Sequence, residues 1–138
     1  MLSNGDVTID ASGGNTSTML VRNNLFLGFE NYNRRLTEPG RRTAGIYVTG
    51  ALVVTQTNNL WFGTYGIGAV SPDVCPGTAT VCADPLLVSP SLVNPDLQLK
   101  PGSPAINAGS ATGAPSSDFK RALRPARGGV DIGAMEKQ

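Results

Sequence analysis

Residues Asn58 to Gly63 read NNLWFG, and thirty-five positions earlier Asn23 to Gly28 read NNLFLG. Leu25 aligns with Leu60, Phe26 with Trp61, Leu27 with Phe62 and Gly28 with Gly63. In each copy an apolar extended run enters the Asn pair and another leaves it. Asparagine tolerates the left-handed backbone better than other non-glycine residues, so it can bend a chain between two strands. A corner that returns at a fixed spacing predicts successive coils of a solenoid. Each strand then lies parallel over its predecessor at about 4.8 Å, and matching asparagines can hydrogen-bond up the stack as a ladder. The competing reading is two similar hairpins of an antiparallel sandwich. No two-residue Asn-Gly or Asp-Gly turn joins these strands, which favours coils.

The flanking chain agrees with a β-rich reading. Asp6 to Asp10, DVTID, alternates polar and apolar as a half-buried strand does. Ala44 to Val48, AGIYV, leads through Thr49-Gly50 into the strand before the second Asn pair. Apolar residues do not recur at helical spacing over three turns before residue 70. Only 15% of the 138 residues are charged, while glycine and proline number 17 and 10. Such a chain makes many tight turns and has few solvated helix faces. A net charge of +1 offers no nucleic-acid footprint.

The second half carries a resemblance. Asp84 to Gly109 reads DPLLVSPSLVNPDLQLKPGSPAINAG, and Asp118 to Gln138 reads DFKRALRPARGGVDIGAMEKQ. These stretches resemble the C-terminal segment of secreted bacterial right-handed parallel β-helix proteins, the choice-of-anchor group of the pectate-lyase-like superfamily. That segment typically has an Asp-Pro-Leu start, a Leu-x-Pro-Gly-Ser-Pro-Ala-Ile-x-Ala-Gly core and a closing Asp-Ile-Gly-Ala-aromatic-Glu. Here the core is Leu99 to Gly109 and the close is Asp131 to Glu136, with Asn107 where Asp is frequent and Met135 where an aromatic is usual. The resemblance implies an all-β fold: a short right-handed parallel β-helix of two to three coils with an irregular C-terminal wrap. Residues 1–83 form the coils, with a long Arg-rich loop at 30–43, and residues 84–138 cover the C-terminal end or flank of the same domain. Leu97, Leu99, Ile106, Val130 and Ile132 are the expected apolar contacts beneath the wrap. Asp118 and Asp131 are expected to tie it down, with Arg121, Arg124 and Arg127 as partners.

Function is less legible. The chain has no histidine, which removes Ser-His-Asp and Cys-His arrangements and the commonest general base. The superfamily includes polysaccharide lyases and glycoside hydrolases, but no lyase signature maps onto these residues, and no catalytic residue is assigned. Asp6 and Asp10 share a strand face roughly 13 Å apart by the usual rise, too far for a glycosidase pair. At most they offer a weak Ca²⁺ locus; no other cofactor or metal is expected. Ser117 to Lys120 matches Ser-x-x-Lys without the Ser-Asp-Asn and Lys-Thr-Gly companions that motif needs.

Candidate ligand residues are Arg34, Arg35, Arg41 and Arg42, whose planar forks suit carboxylates, although a solvated, self-paired loop explains them as well. Phe26 and Trp61 are candidates too. Facing outward they form an aromatic strip for a sugar ring or a subunit; facing inward they are core. Cys75 and Cys82 are either two free thiols or a local disulfide suited to an oxidising compartment. The first reading is thus a non-catalytic scaffold or assembly module of an extracellular or cell-surface protein, with glycan binding secondary. The alternative is a polysaccharide lyase or glycoside hydrolase. Secretion or surface location is expected although MLSNGDVTID lacks signal-peptide character, and no apolar run spans a membrane. An open strand edge at Met1 to Asp10 is expected to pair with another copy, or with further coils of a longer parent chain.

Overall fold

In the computed structural model the described residues are 7–11, 18–27, 44–50, 53–62, 65–67, 77–91 and 93–138. Every regular element among them is a strand: β1 Val7–Ala11, β2 Thr18–Arg22, β3 Leu25–Leu27, β4 Ala44–Gly50, β5 Val53–Thr57, β6 Leu60–Phe62, β7 Tyr65–Ile67, β8 Leu87–Ser89 and β9 Asp96–Leu99. The protein is all-β, built from small sheets in the orders β1-β4-β7, β2-β5, β3-β6 and β8-β9.

The first three sheets are parallel. Thr18 pairs with Val53 and Arg22 with Thr57; after the corner, Leu25 pairs with Leu60, Phe26 with Trp61 and Leu27 with Phe62. The repeat noticed in the sequence is therefore a physical register, and parallel pairing excludes the antiparallel hairpins. A third tier follows at a shorter interval. Ala44 pairs with Tyr65, and bridges join Thr57 to Thr78 and Leu60 to Val81, each twenty-one positions on. The longer first interval has a local origin: sixteen residues separate β3 from β4, whereas two separate β6 from β7.

The corner is the same in all three tiers. Asn23, Asn58 and Ala79 have φ of 58°, 51° and 51°, and Ala79 holds the position after Thr78 that Asn58 holds after Thr57. Backbone bonds lock the tiers together there: Asn23 N donates to Asn58 O at 3.1 Å, Asn58 N to Thr78 O at 3.0 Å, Leu60 N to Asn24 O at 2.9 Å and Val81 N to Asn59 O at 2.8 Å.

The β3-β6 pair is covered on both faces, with Phe62 left exposed at its end. Phe26 and Trp61 face Met19, Val21 and Val54 of β2 and β5. Leu25, Leu27 and Leu60 face Leu87, Leu99, Ala105 and Ile132 from the second half of the chain. Residues 84–138 thus cover the flank of this sheet. Gly109 permits their closest internal approach: its N–H donates to Val130 O at 2.7 Å, and a Cβ there would stand 2.8 Å from that oxygen. Ser103 anchors the segment by donating to Pro85 O at 2.6 Å.

Of the expected contacts beneath the wrap, Leu99, Val130 and Ile132 are buried and Ile106 packs against the core. Leu97 is a correction: it is 43% exposed. Leu87 pairs with Leu99 and Ser89 with Asp96, so β9 has one residue more than β8 between the paired positions. That bulge turns Leu97 and Gln98 outward together.

Candidate functional site

The two asparagines of each corner divide their work. The first of each pair reaches the C-terminal segment. Asn23 Nδ2 donates to Ser110 O and its Oδ1 accepts from Ser110 N, both at 2.8 Å, while Asn58 Nδ2 donates to Ala108 O at 3.0 Å. The second forms the inter-tier link. Asn59, wholly buried, accepts from Asn24 N at 2.9 Å and from Asn24 Nδ2 at 3.3 Å, and donates to Val21 O at 3.0 Å. The expected ladder therefore forms at Asn24 and Asn59, whereas Asn23 and Asn58 bind the wrap.

Phe26 and Trp61 stack with ring centroids 3.9 Å apart and planes 9° from parallel. Trp61 is 2% exposed, so of the two facings open to these rings the inward one holds. Trp61 is core, and Phe26, half-buried, packs against it. The indole Nε1 is buried without an acceptor, so this ring is placed by packing.

The acidic residues of the C-terminal segment are spent on backbone. Asp131 accepts from Asn107 N at 2.8 Å and Lys137 N at 2.6 Å. Glu136 accepts from Ala126 N at 3.0 Å and Asp131 N at 3.1 Å. Asp118 accepts from Ala122 N at 2.8 Å and Glu136 N at 3.0 Å. Burial acts to raise the Asp118 pKa, but the N–H groups of Glu136, Ala122 and Lys120 and the Arg124 charge outweigh it and hold it below the ordinary value. Arg124 Nη2 donates to Gly133 O at 2.7 Å. Its Nε lies 3.3 Å from Glu136 Oε2, a charge contact whose N–H direction misses hydrogen-bond geometry. The tie role expected of Asp118 and Asp131 is thus carried mainly by main-chain donors, and Arg124 serves Glu136, a residue the sequence reading did not single out. The acid-N–H-acid interlock is only partly local: the N–H groups of Glu136 and Asn107 reach acids eighteen and twenty-four positions away, which leaves no short sequence signal for it.

An open cleft of about 410 Å³ lies where Arg22 and Asn23 meet the segment, with Asp118, Phe119 and Arg124 also on its wall. Asn23, Asp118 and Arg124 hold the partners given above, which leaves little of their polarity for a ligand. Among the described residues no cluster of acids or cysteines could hold a metal ion, and no helix is long and apolar enough to cross a membrane.

Arg34, Arg35, Arg41 and Arg42 lie outside the described residues, as do Asp6 and Cys75. Cys82 is disulfide-bonded, and the chain contains one other cysteine, Cys75. The chain matches no family model, no curated protein and no solved structure.

Proposed function

We propose that this protein is a non-catalytic scaffold module, the coils and wrapped flank of a short right-handed parallel β-helix, and that it assembles through its first tier. The observation that carries this reading is the contrast between Asn59 and Asn24. Asn59 is buried because a tier precedes it, and its amide bonds two groups of that tier. Asn24, the same position one tier earlier, is exposed and turns its amide back onto Arg22 O at 2.9 Å. Among the described residues β1, β2 and β3 each have one strand neighbour, so the face that would receive another strand–corner–strand is an unpaired edge. Among the described residues, Phe26, Trp61, Asp118, Asp131, Glu136 and Arg124 are engaged in holding the chain, which supports a structural role. The disulfide at Cys82 supports an oxidising location, at the cell surface or beyond it. The test is light scattering across a concentration series. A discrete oligomer that Asn24→Lys dissociates supports the reading, and a monomer at tens of micromolar ends it.

Glycan binding is a second reading, favoured by one observation. The residues that lengthen the first tier fall between β3 and β4, where Arg34, Arg35, Arg41 and Arg42 lie, and insertions on a repeat scaffold commonly bear its binding function. Arg41→Ala with Arg42→Ala should abolish retention on an acidic polysaccharide. Retention equal to wild type would dismiss the loop, and cleavage of the polymer would move the protein to the lyase or hydrolase class.

A further inference from the structure

The loop from Ser117 to Leu123 is a small, tightly tied hairpin with an unusual surface. Its ends pair as Ser117 with Leu123. Within it Asp118 N donates to Ala122 O at 2.8 Å and Arg121 N to Asp118 O at 3.0 Å, while Phe119 N ties it to Ala134 O at 2.9 Å and Arg124 N reaches Ser116 O at 2.9 Å. The Asp118 carboxylate closes the turn from inside through Ala122 N. A loop tied this way has no freedom to fold its apolar residues away. Yet Phe119 is 84% exposed and Leu123 75% exposed, and Lys120, Arg121 and Arg127 around them are exposed as well. Of the four cations in residues 118–127, Arg124 is paired with Glu136 inside the fold, which leaves Lys120, Arg121 and Arg127 at the surface, and the one carboxylate, Asp118, is bound to main-chain N–H groups.

We propose that this hairpin docks the protein on the surface of an anionic lipid bilayer. The two apolar side chains protrude from a rigidly tied hairpin, Phe119 beside the open cleft described above, and a soft, deformable acceptor carrying negative charge suits both them and the cations next to them. The boundary between headgroups and acyl chains accepts such side chains, and anionic headgroups attract the cations flanking them. Lys and Arg stems also lie along apolar surface while their charges stay in water, which allows Lys120, Arg121 and Arg127 to contact headgroups while Phe119 and Leu123 insert. A soluble acidic polymer would satisfy the cations but leave the phenyl and isobutyl groups in water.

The experiment is co-sedimentation of the full chain with phosphatidylglycerol-containing vesicles and with purely zwitterionic ones, at low and at physiological salt. Binding to the anionic vesicles that weakens with salt is expected. Phe119→Ser with Leu123→Ser should lower the partition coefficient by about tenfold or more. Lys120→Ser with Arg121→Asn, where Asn suits the φ of 67° at residue 121, should lower it by about fivefold per cation. All four residues are exposed, so the unfolding midpoint of each variant should stay at the wild-type value and loss of binding cannot be loss of fold. The proposal is overturned by absence of binding to anionic vesicles, or by equal binding of the Phe119/Leu123 variant. It is equally overturned if soluble polygalacturonate displaces the protein fully while that variant still binds as wild type, which would make the cations a site for acidic polymers.

Discussion

Asn59 and Ala79 show how much a single residue can carry at the corner. Asn59 occupies a wholly buried position and satisfies Asn24 N and Val21 O. Asn59→Ala leaves both groups without that partner, at about 1–3 kcal/mol for each buried group left unmade. Asn24→Ala, at the exposed position, should cost less than 1 kcal/mol; urea midpoints of the two variants compare them directly. Ala79 holds the left-handed conformation at φ 51° without the side chain that eases it in Asn23 and Asn58. Ala79→Gly should therefore raise stability by about 1 kcal/mol, the usual cost of a Cβ in that region. A lower midpoint for this variant would mean that the corner of the third tier is under no such strain. The Asn pairs were readable because asparagine at a bend is a local preference. The third corner was not, because it lacks asparagine and follows at twenty-one residues instead of thirty-five.

At the scale of elements, the β3-β6 pair and the segment that covers it form one unit of stability. Leu60 is fully buried against Leu87, Leu99, Ala105 and Ile132, and Leu60→Ala should cost about 2–5 kcal/mol. Trp61→Ala empties the other face and should cost about 3–5 kcal/mol. Any loss of ligand retention in that variant would follow its loss of folded protein, which retention and circular dichroism measured on the same sample can establish. The covering segment also has a pH signature. Asp118 has its pKa lowered in the folded chain, so the folded form binds its proton less readily than the unfolded form does. Its contribution is complete above the ordinary aspartate value of about 3.9 and is lost as pH falls through the lowered one. Asp118→Asn should flatten the loss of stability below about pH 4 in an acid titration, while leaving the slope near neutrality unchanged. The role of Asp118 as a tie could be guessed from its place in the segment, but its donors could not. They lie at Ala122 and Glu136, and the second is eighteen positions away.

For the whole molecule, the third tier among the described residues is held by β7 on β4 and by the bridges at Thr78 and Val81. The disulfide at Cys82 adjoins the second of these. A disulfide typically contributes about 2–4 kcal/mol. Reduction, or Cys82→Ser, should lower the unfolding free energy by that amount; an unchanged midpoint under reducing conditions would show the third tier held by its hydrogen bonds alone. The proposed assembly belongs to this scale too, since an exposed Asn24 above a buried Asn59 is a property of the stacked strands together.

The β-strand character of β1 to β6, the register of β3 on β6 and the corners at the two Asn pairs were determined by the sequence alone. They arise from short-range physics: alternation of apolar and polar residues, the left-handed tolerance of asparagine, and a repeat that keeps Leu25 over Leu60 and Phe26 over Trp61. Facing and partnership were decided only in three dimensions. Trp61 became core, Leu97 turned to solvent at a bulge, and Asp131 and Glu136 were claimed by main-chain donors. Burial of a side chain depends on what lies across from it, and for β3 and β6 one of those opposing surfaces is supplied by residues up to about a hundred positions further along the chain.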